Sequence, residues 1–180
     1  MTPWDRIGLD IAAWMRLPLT MRIGYALQPF AAWGYTTRSP RVPYRPHRAF
    51  PAALVATGEQ DTNCSTLTTC LLMAAYADTR WTTEHYAGLQ VFETFGPAAP
   101  VEAVESAGVA DRVEQLSPGC WHLAQGWRSS GTGHAFLLWH GPGLTMRVHA
   151  GPAQGVESRP DSIEALRHEY ARELHLAALL

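Results

Sequence analysis

The stretch from Leu116 to Ala150 constrains this chain most, because there the apolar residues leave helical spacing and form short runs between tight turns. Ser117-Pro118-Gly119 reads as a turn, and the apolar run Cys120 to Ala124 follows it. Proline presets one φ of a turn, and glycine supplies the conformation that a side chain resists. Gly126 to Gly133 is polar and glycine-rich, so it reads as a loop. His134 to His140 reads as a strand, Gly141-Pro142-Gly143 as a tight turn, and Leu144 to Ala150 as the returning strand. An antiparallel hairpin is the result.

Upstream, the pattern is helical. Ile7, Ile11, Trp14 and Met15 share one helix face until Pro18, and a second short helix fits 19–28 before Pro29. Residues 36–50 are rich in Pro and Arg and read as a linker. A third helix is predicted from Ser65 to about Asp78, capped by Thr62 or Asn63, with Leu67, Cys70, Leu71 and Ala74 as its apolar stripe. Further helices are predicted over Trp81–Phe95 and Val101–Val109, and 151–160 reads as loop. A final helix over 161–180, capped by Asp161 or Ser162, would align Ile163, Leu166, Tyr170 and Leu174. Helices segregated from an antiparallel sheet define an α+β class. Two regions are expected: an N-terminal helical extension with its linker, 1–50, and a main domain, 51–180. The apolar segment 1–35 reads as a cover for the core, with docking of a partner as the other use for it.

Composition narrows the function. The net charge of −2 gives no electrostatic case for nucleic acid, and Arg38, Arg41, Arg45 and Arg48 lie among prolines as a solvated loop. The cations are fourteen arginines without a lysine, which codon bias explains. No uncharged run is long enough to span a bilayer. The opening residues lack a basic leader, so the expectation is synthesis in the cytoplasm. Three cysteines, an odd number, leave at least one thiol free. Cys120 and His122 share a strand face, but the chain has no close pair of ligand residues at metal-binding spacing. Neither a metal nor another cofactor is expected.

The chemistry rests on Cys64 and His134. A thiol becomes a nucleophile as thiolate, which a helix N-terminus and a nearby imidazole both favour. Cys64 stands at the start of a predicted helix and His134 at the start of a predicted strand. Cys70 falls on the apolar stripe and Cys120 opens an apolar strand, so both read as core. With a turn centred on Gly141-Pro142, His134 pairs directly across from His149, with Cβ atoms roughly 5 Å apart on one face. A second imidazole there can orient the first. His140 shares that face but lies about 20 Å along the strand and is set aside.

Asn63-Cys64-Ser65, the turn before Cys120, Gly133-His134-Ala135-Phe136-Leu137-Leu138 and Val148-His149-Ala150 together resemble the NlpC-type peptidoglycan cysteine peptidases. The resemblance covers about 60–152, and the related CHAP amidases and type VI secretion amidase effectors share its order of Cys then His. It implies a papain-like domain that cleaves amide bonds in peptidoglycan peptides. By it, Cys64 is the nucleophile, His134 the base and His149 the orienting residue; the oxyanion is held by the Cys64 N–H with Asn63 or Ser65. The chain departs from that family's pattern at Asn63, Thr66 and Cys120, and no tyrosine stands about a dozen residues before Cys64, where Tyr44 is a distant substitute. A wall enzyme without a leader would reach its substrate through a virion, lysis or a secretion machine. Two other readings share these residues: a thiol hydrolase or acyltransferase on a protein or lipid, and a papain-like module that binds without cutting.

Overall fold

The computed structural model describes residues 11–36, 61–76, 102–105, 116 and 118–179. They fall into two compact units, one from 11–36, 61–76 and 150–156, the other from 102–105, 116, 118–149 and 157–179. The boundary expected near residue 50, the helix expected over 81–95, Tyr44 and the arginine loop lie outside the described residues.

In the first unit, α1 (Ile11–Met15) and α2 (Leu19–Leu27) precede a short 3-10 turn, Gln28–Phe30. Strands β1 (Gly34–Tyr35) and β2 (Asp61–Thr62) pair in parallel, and α3 (Cys64–Tyr76) follows directly. Asn63 caps α3: its side-chain oxygen accepts from the Thr66 N–H at 2.8 Å. The sequence predicts one buried stripe on this helix, but every residue from Ser65 to Leu72 is buried. Its polar positions are small hydroxyls, and Thr69 satisfies its own by donating to the Ser65 carbonyl at 2.8 Å. The far end of α3 is closed by the N-terminal helices. The Trp14 indole N–H donates to the Ala74 carbonyl at 2.8 Å, and the Arg22 guanidinium donates to the Ala75 carbonyl. Both carbonyls lie in the last turn, where no intrahelical partner exists and a cation complements the helix dipole. Trp14, Ile23, Ala26, Phe30 and Trp33 are buried in the same unit. The segment 11–33 therefore covers core through these residues, although of the stripe expected there Trp14 is buried and Met15 is exposed.

The sheet has six strands in the order β3-β8-β4-β5-β6-β7: β3 (Glu102–Glu105), β4 (Cys120–Trp127), β5 (Gly133–Gly141), β6 (Leu144–Gly151), β7 (Gly155–Asp161) and β8 (Glu173–Leu179). Each pairing from β3 through β6 is antiparallel. With its helices, this sheet makes the protein α+β. The expected hairpin is present as β5 and β6, closed by Pro142 and Gly143, the latter at φ 74°. Proline before a glycine of positive φ is the composition of a type II turn. Between β6 and β7, Gly155 has φ 73°, and a Cβ there would lie 2.3 Å from the Trp33 carbonyl oxygen. The neighbouring Val156 N–H donates to that oxygen at 2.9 Å, so the close approach needs glycine.

Three expectations are corrected. The chain from 155 to 161 is strand rather than loop, and 102–105 is strand rather than helix. The C-terminal helix, α4 (Ile163–Glu169), is much shorter than 161–180, and β8 takes its place. Ser162 caps α4, accepting from the Ala165 N–H at 3.0 Å. From Glu173 onward, Leu174 and Leu176 alternate with His175, the period of a strand, and β8 lies between β3 and β4. The predicted stripe still meets: Leu166, Tyr170 and Leu174 join Leu116, Ala124, Phe136 and Leu138 in one core, with Ile163 packed against it.

Gly126 shows how tightly α4 seats. A Cβ there would lie 2.4 Å from the Tyr170 ring, and that ring is held by hydrogen bonds to Arg147 and Glu169, both 3.1 Å. Gly126→Ala is expected to cost about 1–3 kcal/mol by overpacking. Urea unfolding checks this, and a loss below about 0.5 kcal/mol, typical of an unconstrained surface change, would mean the ring yields.

Candidate functional site

Cys64 belongs to the first unit, His134 and His149 to the second. In the first, Cys64 is the first residue of α3 and is half-buried. Its N–H is one of the four that a helix leaves without an internal partner. Ser65 is buried, and its Oγ lies 4.0 Å from the Cys64 sulfur. The Asn63 side-chain oxygen is engaged in the cap, which fixes the orientation of its amide. Cys70, further along the same helix, is fully buried, and burial pushes its thiol pKa up. It reads as inert core. Cys120 is half-buried, less than its expected core position implies, because it stands beside the Pro118-Gly119 turn.

In the second unit, His134 and His149 touch. His134 Nε2 and His149 Nδ1 are 3.0 Å apart, with the rings edge to face. The route to this contact differs from the expected one. Leu137 pairs with Val148 and Gly141 with Leu144, so beside the turn the register is two residues away from one that pairs His134 with His149. Pro142 and Gly143 form the turn, one position later than expected, and this slides β6 by two residues. A slip of two preserves the face. His140 is elsewhere on the strand, with Nδ1 3.0 Å from the Thr145 hydroxyl.

Both rings are buried, at 6% exposure each. Burial, then the nearby His149, Arg128 and Arg147, push the His134 pKa down to about 3. Burial and Arg147 also lower that of His149, against the pull of Glu157. Both imidazoles are therefore neutral at pH 7, able to accept a proton but reluctant to keep it unless an anion stands near.

The sequence reading missed the groups that surround this pair. Glu157 Oε1 lies 2.8 Å from His149 Nε2, off the line of a straight hydrogen bond, so the contact is mainly electrostatic. Arg147 is 1% exposed and is held by Asp161 at 2.6 Å, Glu169 at 2.7 Å and the Tyr170 hydroxyl at 3.1 Å. Its guanidinium also lies 5.1 Å from the Phe136 ring centroid. Arg147 sits two residues before His149 on one strand, a period-2 signal that could have placed it on the same face. Glu157, Asp161 and Glu169 had no such signal, since they arrive through β7 and α4. Among the described residues, no cluster of His, Cys, Asp and Glu is arranged to hold a metal ion. Nor is any described helix long and apolar enough to cross a membrane.

No family model matches the chain, and no curated protein matches it. Among solved structures, the crystal structure of the Pseudomonas avirulence protein AvrPphB is similar at 12% identity and a TM-score of 0.32, over 72% of this chain and 67% of that one.

Proposed function

We propose that this protein is a cysteine hydrolase of papain-like type that cleaves amide bonds in peptidoglycan peptides, with Cys64 as nucleophile, His134 as general base and His149 as the residue that orients it. The observation that carries the reading is the 3.0 Å contact between His134 and His149. It supplies a base already oriented by a second ring. The capped helix start at Cys64 supports the other half, and the substrate class comes from the resemblance of the motifs.

In this reading neutral His134 accepts the thiol proton through Nδ1, the nitrogen not turned to His149, as sulfur attacks the carbonyl carbon. The oxyanion takes hydrogen bonds from the Cys64 N–H and from Asn63 or Ser65. His134 then protonates the leaving amine, and the C–N bond breaks to leave a thioester. Water, deprotonated by the same imidazole, attacks the thioester and releases the acid and the thiol. The environment that depresses the His134 pKa opposes a resting thiolate–imidazolium pair, so proton transfer would accompany attack rather than precede it.

Digestion of purified peptidoglycan by the wild type and by Cys64→Ala, with fragments read by mass spectrometry, tests the proposal. Fragments are expected only from the wild type. No fragments from either, across several wall chemotypes and with the protein folded, would remove the wall substrate. The low His134 pKa favours one other reading, a module that binds without cutting. Iodoacetamide separates the two: an activated Cys64 should be alkylated faster than Cys120, and more slowly in His134→Ala.

A further inference from the structure

Glu157 has no part in the chemistry above, yet it ends a chain of contacts that begins at the proposed base. His134 Nε2 is 3.0 Å from His149 Nδ1, and His149 Nε2 is 2.8 Å from Glu157 Oε1. A neutral imidazole carries one N–H and one lone pair, and a carboxylate only accepts. The contact is off the line of a straight hydrogen bond, but at 2.8 Å a carboxylate oxygen still repels the negative end of the ring nitrogen and attracts an N–H, so the proton of His149 belongs on Nε2. His149 Nδ1 is then an acceptor. His134 must donate to it through Nε2, and the His134 lone pair is left on Nδ1.

We propose that Glu157 is a positioning residue that fixes the tautomers of both histidines, so that His134 presents its lone pair on Nδ1. The proposal deepens the hydrolase reading and rests on it for its use, though not for its geometry. One carboxylate sets the polarity of a two-ring relay. The Arg159 Nε lies 3.6 Å from the same Glu157 oxygen. The positive charge of Arg147 opposes a second proton on the His149 ring.

The test has two arms on the full-length protein. The first is long-range proton–nitrogen NMR of uniformly nitrogen-15-labelled protein at pH 7.5. Wild type is expected to show both histidines protonated on Nε2. Glu157→Gln, which can donate as well as accept, is expected to give mixed tautomers at His149 and His134. A wild-type spectrum with His149 protonated on Nδ1 overturns the proposal without need of any variant. So does a Glu157→Gln spectrum, from folded protein, with unchanged tautomers.

The second arm is the alkylation rate of Cys64 by iodoacetamide. Glu157→Gln is expected to slow it about tenfold or more, as loss of an orienting partner does elsewhere. If His134→Ala slows labelling while Glu157→Gln does not, the positioning role fails and the cysteine reading stands. If neither variant slows labelling but the tautomers shift, Glu157 sets the rings and the pairing of Cys64 with His134 is what fails.

Discussion

Arg147→Leu is expected to destabilise the protein by about 3–5 kcal/mol, lowering the melting temperature on the order of 10 °C. The magnitude follows from what the guanidinium leaves behind. The Asp161 side chain is 4% exposed and meets the guanidinium at 2.6 Å, so without Arg147 it is a buried charge with its main partner gone. Glu169 retains a bond to Arg128, but Tyr170 loses one of its two partners. Because Arg147 lies on β6, Asp161 at the end of β7 and Glu169 at the end of α4, one side chain ties three elements of the second unit. Arg147→Lys should recover part of the loss, since it restores the charge but not the fork that serves two carboxylates and a hydroxyl together. The double variant Arg147→Leu, Asp161→Asn should be less destabilised than the sum of its singles, because the stranded charge is removed. Urea unfolding followed by circular dichroism measures the wild type and the four variants, Asp161→Asn included. A loss below about 1 kcal/mol for Arg147→Leu would mean that water reaches the carboxylates and that the network is not a buried one.

That network also explains which parts of the fold were legible in the sequence. Local chemistry was readable. Pro142 and Gly143 announced a hairpin, Asn63 announced a helix start, and Ser162 announced another. Each signal acts within four residues of the feature it sets. The strand at 173–179 was not readable, because its partners β3 and β4 stand far away in sequence. Ile163, Leu166, Tyr170 and Leu174 fit a helix stripe equally well whether the chain stays helical or turns into a strand after Tyr170. Pairing with β4 decided the matter, and propensity had no vote.

The site divides along the same line. The sequence placed His134 and His149 together from a turn set one position too early; beside that turn the strands are offset by two residues, which keeps the face. An error of one would have put them on opposite sides of the sheet. Glu157 was invisible for a different reason. It reaches His149 only because β7 follows β6 in the sheet, and 151–160 reads as loop. A strand built from Gly155, Val156, Glu157, Ser158, Arg159, Pro160 and Asp161 has almost no apolar period to declare it. The charges that break the pattern are the ones that hold the histidines and Arg147.

Those buried imidazoles should make the protein acid-labile at a pH where carboxylates are still ionised. In the unfolded chain a histidine takes its proton near pH 6.5. In the folded protein His134 does not take one until about pH 3, because burial and the neighbouring cations oppose it. Between those values the unfolded state binds more protons, so stability falls as pH falls. The contribution is fully present above pH 7.5 and shrinks through the whole interval down to about 3. Each unmatched proton is worth about 1.4 kcal/mol per pH unit, so His134 alone costs roughly 2 kcal/mol between pH 6.5 and pH 5. His149 and His122 are shifted in the same direction and add to the slope. Glu169, whose bonds to Arg147 and Arg128 hold its pKa near 2 against the effect of burial, loses its contribution lower down, below the ordinary glutamate range near 4.5. The interval from pH 6.5 to 4.5 therefore isolates the histidines. Melting temperatures across that interval should fall steeply for the wild type and less steeply for His134→Gln, which has no proton to take up. The slope is the readout, since the substitution also changes stability at neutral pH by removing a packed ring. Equal slopes for the two proteins would mean that His134 titrates in the fold as it does in water, and that the pocket around it is open to solvent.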